Sequence, residues 1–81
     1  MKIAFDVEQA GCDSCADRVR DALAPLGVVE AVEVDEGSDT ASVVLAPKSE
    51  PDQAVVDEAL AEASAGAGHL YRVRPGSWRK L

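Results

Sequence analysis

Positive charge is scarce in this 81-residue chain: eight Lys and Arg stand against fifteen Asp and Glu, a formal net charge of -7. A nucleic-acid binder needs a basic footprint to displace counterions from phosphates, so that class is excluded. No apolar run approaches the roughly eighteen residues of a membrane span, and no membrane insertion is expected. Asp6 and Glu8 interrupt the stretch where a signal peptide would need its apolar segment, which points to a cytoplasmic location. Histidine occurs once, at position 69, and no strained nucleophile turn accompanies it, so a Ser/His/Asp hydrolase has no footing. Cysteine is limited to Cys12 and Cys15. A secreted mini-protein would close long loops with several bridges, whereas one bridge across two intervening residues staples almost nothing.

What is present describes one small globular domain. Hydrophobic residues make up 47% and charged residues 28% of the chain, which separates it from disordered sequences. At this length folding buries only about 60–65% of the unfolded surface, so the core will be thin.

The hydrophobic period switches along the chain. Met1 to Glu8 alternates, with Ile3, Phe5 and Val7 on one side, as in a half-buried strand. Gln9-Ala10-Gly11 breaks this, and from about Asp13 the apolar residues Ala16, Val19, Leu23 and Leu26 recur at helical spacing. Asp13 or Ser14 is the expected N-cap, and Pro25 with Gly27 marks the end. Val28 to Asp35 alternates again, with Val28, Val32 and Val34 as core candidates. Glu36 to Asp39 then reads as a turn, and Thr40 to Ala46 returns. A second helix is expected from Ser49, with Pro51 in its first turn, Asp52 closing a capping box, and a stripe of Val56, Ala59, Leu60 and Ala63. After Ala65-Gly66-Ala67-Gly68, residues 69–74 alternate once more, with Tyr71 and Val73 inward. The order β-α-β-β-α-β predicts an α+β, ferredoxin-like sandwich: a four-stranded antiparallel sheet with two helices on one face.

The cysteines fall where the first strand gives way to the first helix. A helix N-terminus carries partial positive charge and unpaired N–H groups, and both favour a thiolate. Asp6, Glu8, Asp13 and Asp17 oppose that effect wherever they lie close. Three readings follow from the residues alone: a pair of small, semi-buried thiols without chemistry, a redox dithiol, or a thiolate site for a soft ion such as Cu(I) or Zn(II). In the expected topology the start of strand four lies beside the end of strand one, which brings His69 next to the Cys12 loop.

Gly11-Cys12-Asp13-Ser14-Cys15-Ala16, opening an amphipathic helix within this element order, resembles the heavy-metal-associated domain. That family comprises copper chaperones and the N-terminal modules of heavy-metal P-type ATPases. The likeness spans residues 1–74, leaving 75–81 as a basic C-terminal tail. It implies that Cys12 and Cys15 bind one metal ion on an exposed loop, with Ala10, Gly11, Asp13 and Ser14 shaping that loop. Such a protein passes the ion to a P-type ATPase or another metal-accepting protein, and acts as a metallochaperone, not an enzyme. The stretch from Ala63 to His69 is similar to a loop of certain bacterial copper chaperones, which implies His69 as an auxiliary ligand or a contact tuning release. One departure stands out: most members carry Gly-Met where this chain has Gln9 and Ala10.

Cu(I) is the expected ion, with Zn(II) second; Zn(II) wants four ligands, and Asp13 and His69 are the candidates to complete its set. A monomer or a metal-bridged dimer is expected. The rival enzyme reading, a glutaredoxin-like dithiol oxidoreductase, lacks the later proline that would face its cysteines: Pro47 follows Ala46, Pro51 begins a helix and Pro75 lies in the tail. Residues 1–71 hold all fifteen acidic residues, while four of the eight basic ones fall in 72–81. An acidic body of this kind would steer a basic partner surface toward the cysteines. The Trp78-containing tail is read as a solvated terminus, with docking to a partner or folding back onto the body as alternatives.

Overall fold

A computed structural model, which describes residues 2–49, 52–64 and 70–81, shows strands and helices in the expected order. They are β1 (Ile3–Glu8), α1 (Asp13–Leu23), β2 (Gly27–Asp35), β3 (Thr40–Pro47), α2 (Gln53–Ser64), β4 (Arg72–Val73) and β5 (Arg79–Lys80). A 3-10 turn at Ala24–Leu26, with Pro25 inside it, separates α1 from β2. The sheet runs β2-β3-β1-β4, every pair antiparallel, and β5 also pairs with β1. This is the ferredoxin-like arrangement, with α1 and α2 against the face that carries Ile3, Phe5 and Val7.

Both helices are held by narrow stripes. On α1 the buried positions are Cys15, Val19 and Leu23, spaced four apart; Ala16 and Leu26 are only half-buried. The stripe therefore starts at a cysteine, which packs in the core like any small apolar side chain. On α2 the buried residues are Val56, Leu60 and Ser64, with Ala59 and Ala63 half-buried beside them. Helix α2 begins at Gln53, where the Asp52 carbonyl accepts the first N–H groups, from Val55 and Val56. That is later than the start expected at Ser49, which lies in a bend; Pro51 lies outside the described residues.

Strand β2 departs from its expected phase. Val28, a core candidate on alternation, is 65% exposed, while Val29 packs against the core together with Val32. The cause is a bulge between Val29 and Ala31: Val29 faces Leu45 but Ala31 faces Val44, so Glu30 is an extra residue. An inserted residue shifts the inward set by one position, and every side chain before it changes face.

The larger surprise is the C-terminal segment. Residues 75–81, expected to be a solvated basic tail, fold back along β1. Beyond β4, Arg74 N–H donates to the Asp6 carbonyl at 2.8 Å. Asp6 N–H donates to Ser77 Oγ at 3.0 Å, and the Ser77 hydroxyl donates onward to the Arg74 carbonyl at 2.7 Å. A serine hydroxyl is thus spliced into the ladder where the strand breaks. Pairing then resumes through Arg79 and Lys80 opposite Ala4 and Ile3, and Leu81 N–H reaches the Lys2 carbonyl. Trp78 stacks on buried Phe5, with ring centroids 5.4 Å apart and planes 18° apart. On the outer edge of β4, the Val73 N–H is taken by Asp57 Oδ1 of α2 at 2.7 Å. A carboxylate there blunts an edge that would otherwise invite a foreign strand.

Aromatic pairs contribute about 0.5–1.5 kcal/mol beyond area burial, and Trp78 is half-buried besides. Trp78→Ala is therefore expected to lower the stability of the reduced protein by about 2 kcal/mol in urea unfolding. An unchanged unfolding midpoint would show that the stacking contributes nothing to the core.

Candidate metal centre

The loop between β1 and α1 begins with a strained residue. Gln9 adopts φ +60°, a left-handed conformation unfavourable for a side chain of this type. Its amide is used at once: Gln9 Oε1 accepts the Leu70 N–H at 3.0 Å, tying the loop to the segment that leads into β4. Ala10 follows, fully buried, with its N–H on the Asp39 carbonyl at 3.2 Å. Gly11 N–H donates to Asp39 Oδ1 at 3.1 Å. No other residue type fits at position 11, because a Cβ there would lie 2.5 Å from the Asp39 Cα. The β2–β3 turn thus presses against the loop through Asp39, a role that alternation and spacing gave no means of seeing.

Cys12 is the N-cap of α1. Its backbone is extended (φ -137°, ψ 160°), and its Sγ accepts the Cys15 N–H at 3.3 Å, with Ser14 Oγ at 3.5 Å. Asp13 and Ser14, the expected caps, are instead the first two helical residues, and Asp13 is exposed. A sulfur in the cap position receives what a capping oxygen would: an orphan backbone donor and the positive end of the helix dipole.

The two cysteines sit in unlike surroundings. Cys15 is fully buried in the helix stripe, whereas Cys12 is half-buried at the loop. Their Cα atoms are 5.1 Å apart, and the sulfurs are joined as a disulfide. The disulfide must take up two electrons before either sulfur becomes a ligand. Cys12 as the cap and Cys15 in the first turn put both sulfurs at the start of one helix, and a pair of thiolates is a donor type suited to soft ions.

The third expected site residue, His69, lies outside the described residues. Its chain neighbour Leu70 is bonded to Gln9, three positions before Cys12. Among the described residues, no group of three or more His, Cys, Asp or Glu is arranged to hold an ion, so Asp13 is not assembled with the two sulfurs. Tyr71, which follows Leu70, is fully buried, and Arg18 Nη1 of α1 approaches its hydroxyl at 3.4 Å.

Overpacking a tight contact costs about 1–3 kcal/mol, so Gly11→Ala is expected to destabilise the protein by that amount and to shift the Asp39 amide signal in NMR spectra. A Gly11→Ala protein with the parent's stability and an unmoved Asp39 amide would contradict the close approach.

The family model of the heavy-metal-associated domain matches residues 4–69. No curated protein matches the chain in sequence. Two solved structures share its fold. One, described as "Crosstalk between Cu(I) and Zn(II) homeostasis", is 23% identical with a TM-score of 0.54, covering 88% of this chain and 97% of its own. The other, oxidized MerP from Ralstonia metallidurans CH34, is 20% identical with a TM-score of 0.54, covering 91% of this chain and 99% of its own.

Proposed function

The chain belongs to the heavy-metal-associated domain family, and on that footing we propose that it is a metallochaperone. It holds one Cu(I) ion between the Cys12 and Cys15 thiolates and hands it to a protein acceptor by thiolate exchange. The observation that carries this reading is the placement of both sulfurs at the start of α1, Cys12 as its cap and Cys15 in its first turn, with Cys12 Sγ accepting the Cys15 N–H. That N–H and the helix dipole offset part of the negative charge of the two-sulfur complex, whose net charge with Cu(I) is about -1.

Two sulfurs satisfy Cu(I) and leave it open to a third donor. The half-buried Cys12 is the side from which a partner thiolate meets the ion. Exchange is associative: a partner thiolate binds the two-coordinate ion, one of the chain's own thiolates then departs, and a second such exchange leaves the ion on two partner thiolates, each incoming thiol losing the proton that a departing thiolate takes up. His69, next in chain to the residue bonded to Gln9, serves as an auxiliary donor that holds the ion between encounters. Zn(II) is the less favoured ion, because it wants four tetrahedral ligands and the described residues bring no carboxylate to the sulfurs. A glutaredoxin-like activity is disfavoured by the element order after α1.

The acceptor is a heavy-metal P-type ATPase or another metal-accepting protein with a basic docking face. Such a face matches a body in which the fifteen acidic residues all precede residue 72. The protein works as a carrier, not an enzyme, as a monomer or a metal-bridged dimer. It does so in the cytoplasm, where thiols stay reduced.

Titration of the reduced protein with Cu(I) and with Zn(II), against calibrated chelators at fixed pH, tests this. A single Cu(I) bound far more tightly than Zn(II) is expected, with no binding by the oxidised protein. Cys12→Ser and Cys15→Ser should each cost several orders of magnitude in Cu(I) affinity with the fold retained by circular dichroism. His69→Ala should act mainly on the rate of transfer. Parent-like Cu(I) affinity in both serine variants would place the site elsewhere, and tight four-coordinate Zn(II) with weak Cu(I) would shift the reading to zinc.

A further inference from the structure

Among the described residues, only two non-glycine residues adopt positive φ: Gln9 at +60° and Asp39 at +55°. They meet at one junction, where the end of β1 faces the start of β3 and the chain turns toward the cysteines. Backbone strain is costly and persists where the surroundings impose it, so its concentration at this junction calls for a reason.

The reason lies in what Asp39 holds. Its carbonyl takes the Ala10 N–H at 3.2 Å and its Oδ1 takes the Gly11 N–H at 3.1 Å. Two consecutive donors, the last before Cys12, are therefore fixed by a single residue whose carboxylate reaches across 28 positions of sequence. Gly11 lies flush against it, with no space for a Cβ. On the other flank Gln9 is tied to Leu70. The limb that delivers Cys12 is clamped from both sides.

This bears unequally on the two sulfurs. Cys15 is locked by its place in the core stripe with Val19 and Leu23. Cys12 is half-buried, and its direction is set by the limb behind it and, ahead of it, by the Cys15 N–H and Ser14 hydroxyl at its sulfur and the Ala16 N–H at its carbonyl. The separation and angle of the two donors therefore depend on Cys12, and a soft ion held by only two sulfurs is sensitive to both.

We infer that Asp39 is a positioning residue of the metal site: from the β2–β3 turn it holds the Ala10–Gly11 limb and thereby fixes the Cys12 thiolate against Cys15. This inference rests on the reading of Cys12 and Cys15 as the ligand pair. Outer partners that orient metal ligands typically govern about 10–100-fold in affinity.

Three variants separate the possible causes. Asp39→Asn keeps an acceptor and tolerates a left-handed φ; Asp39→Ala loses the acceptor and keeps the strain; Asp39→Gly loses the acceptor and relieves the strain. Cu(I) affinity, Cu(I) release rate to excess chelator, and the thermal midpoint of the reduced metal-free protein would be measured for each. The Ala and Gly variants should bind Cu(I) about 10–100-fold more weakly and release it correspondingly faster. The Asn variant should stay within about threefold of the parent. Asp39→Gly should combine weak binding with a midpoint near the parent's, an outcome that general destabilisation would not produce. If the Ala and Gly variants bind like the parent while Cys12→Ser abolishes binding, the positioning role is wrong and the metal reading stands. If Asp39→Asn is as weak as Asp39→Gly, charge and not hydrogen bonding is responsible, and the role is again overturned. If Cys12→Ser binds like the parent, the ligand pair itself is wrong and this inference falls with it.

Discussion

Strand β1 is hydrogen-bonded along both edges, and the geometry of the molecule follows from that. On one side all six of its residues are in register with β3. On the other it meets β4, then the Ser77 hydroxyl, then β5. Its inward side chains, Ile3, Phe5 and Val7, form the floor on which both helices rest. A strand so constrained delivers its C-terminal end at a fixed place and in a fixed direction. The first of the two cysteines lies only four residues beyond that end, so the pair inherits the rigidity of the sheet without being part of it.

From there the two cysteines divide the work between structure and chemistry. Cys15 counts as a core residue, one turn before Val19, and closes the end of the helix stripe. Cys12 counts as a cap, replacing with sulfur the oxygen that usually satisfies a helix N-terminus. Packing thus immobilises one sulfur and hydrogen bonding orients the other. Cys15 is fully buried and Cys12 half-buried, and the polar group that meets the Cys12 sulfur most directly is a backbone N–H, whose dipole is fixed in direction and does not titrate.

The sequence disclosed the architecture because the hydrophobic period is clean in β1, β3 and α1. Val7, Leu23 and Val43 fall where alternation or helical spacing puts them. It was less informative wherever a single residue broke the count. Glu30 is invisible as a bulge until the pairing of Val29 with Leu45 is known, and so Val28 looked like core. The capping role of Cys12 is hidden because Asp13 and Ser14 are commoner caps than cysteine, and the order of residues does not show that a sulfur takes the Cys15 N–H. The place of Cys15 in the helix stripe is hidden likewise, since a paired cysteine reads as a chemical group before it reads as an apolar one. The support from Asp39 has no local signature at all, since it depends on two chain segments meeting. Nor does the basic composition of residues 75–81 reveal the Phe5–Trp78 stacking that draws this segment onto the sheet.

The return of the chain to its own beginning also orders events in time. Residues 79 and 80 pair with residues 4 and 3, contacts that span almost the whole sequence. Loop-closure entropy must be met before such distant pairings are rewarded, and it is lowest when β1 is already seated between neighbours. During synthesis, the β2–β3 hairpin and its pairing to β1 are available well before Trp78 and Arg79 leave the ribosome. The C-terminal strap is therefore laid down last, and until it arrives Phe5 lacks its aromatic partner. A nascent chain arrested before Trp78 would leave the Ile3–Ala4 end of β1 open on that side, the stage at which a chaperone or a second nascent chain would find it.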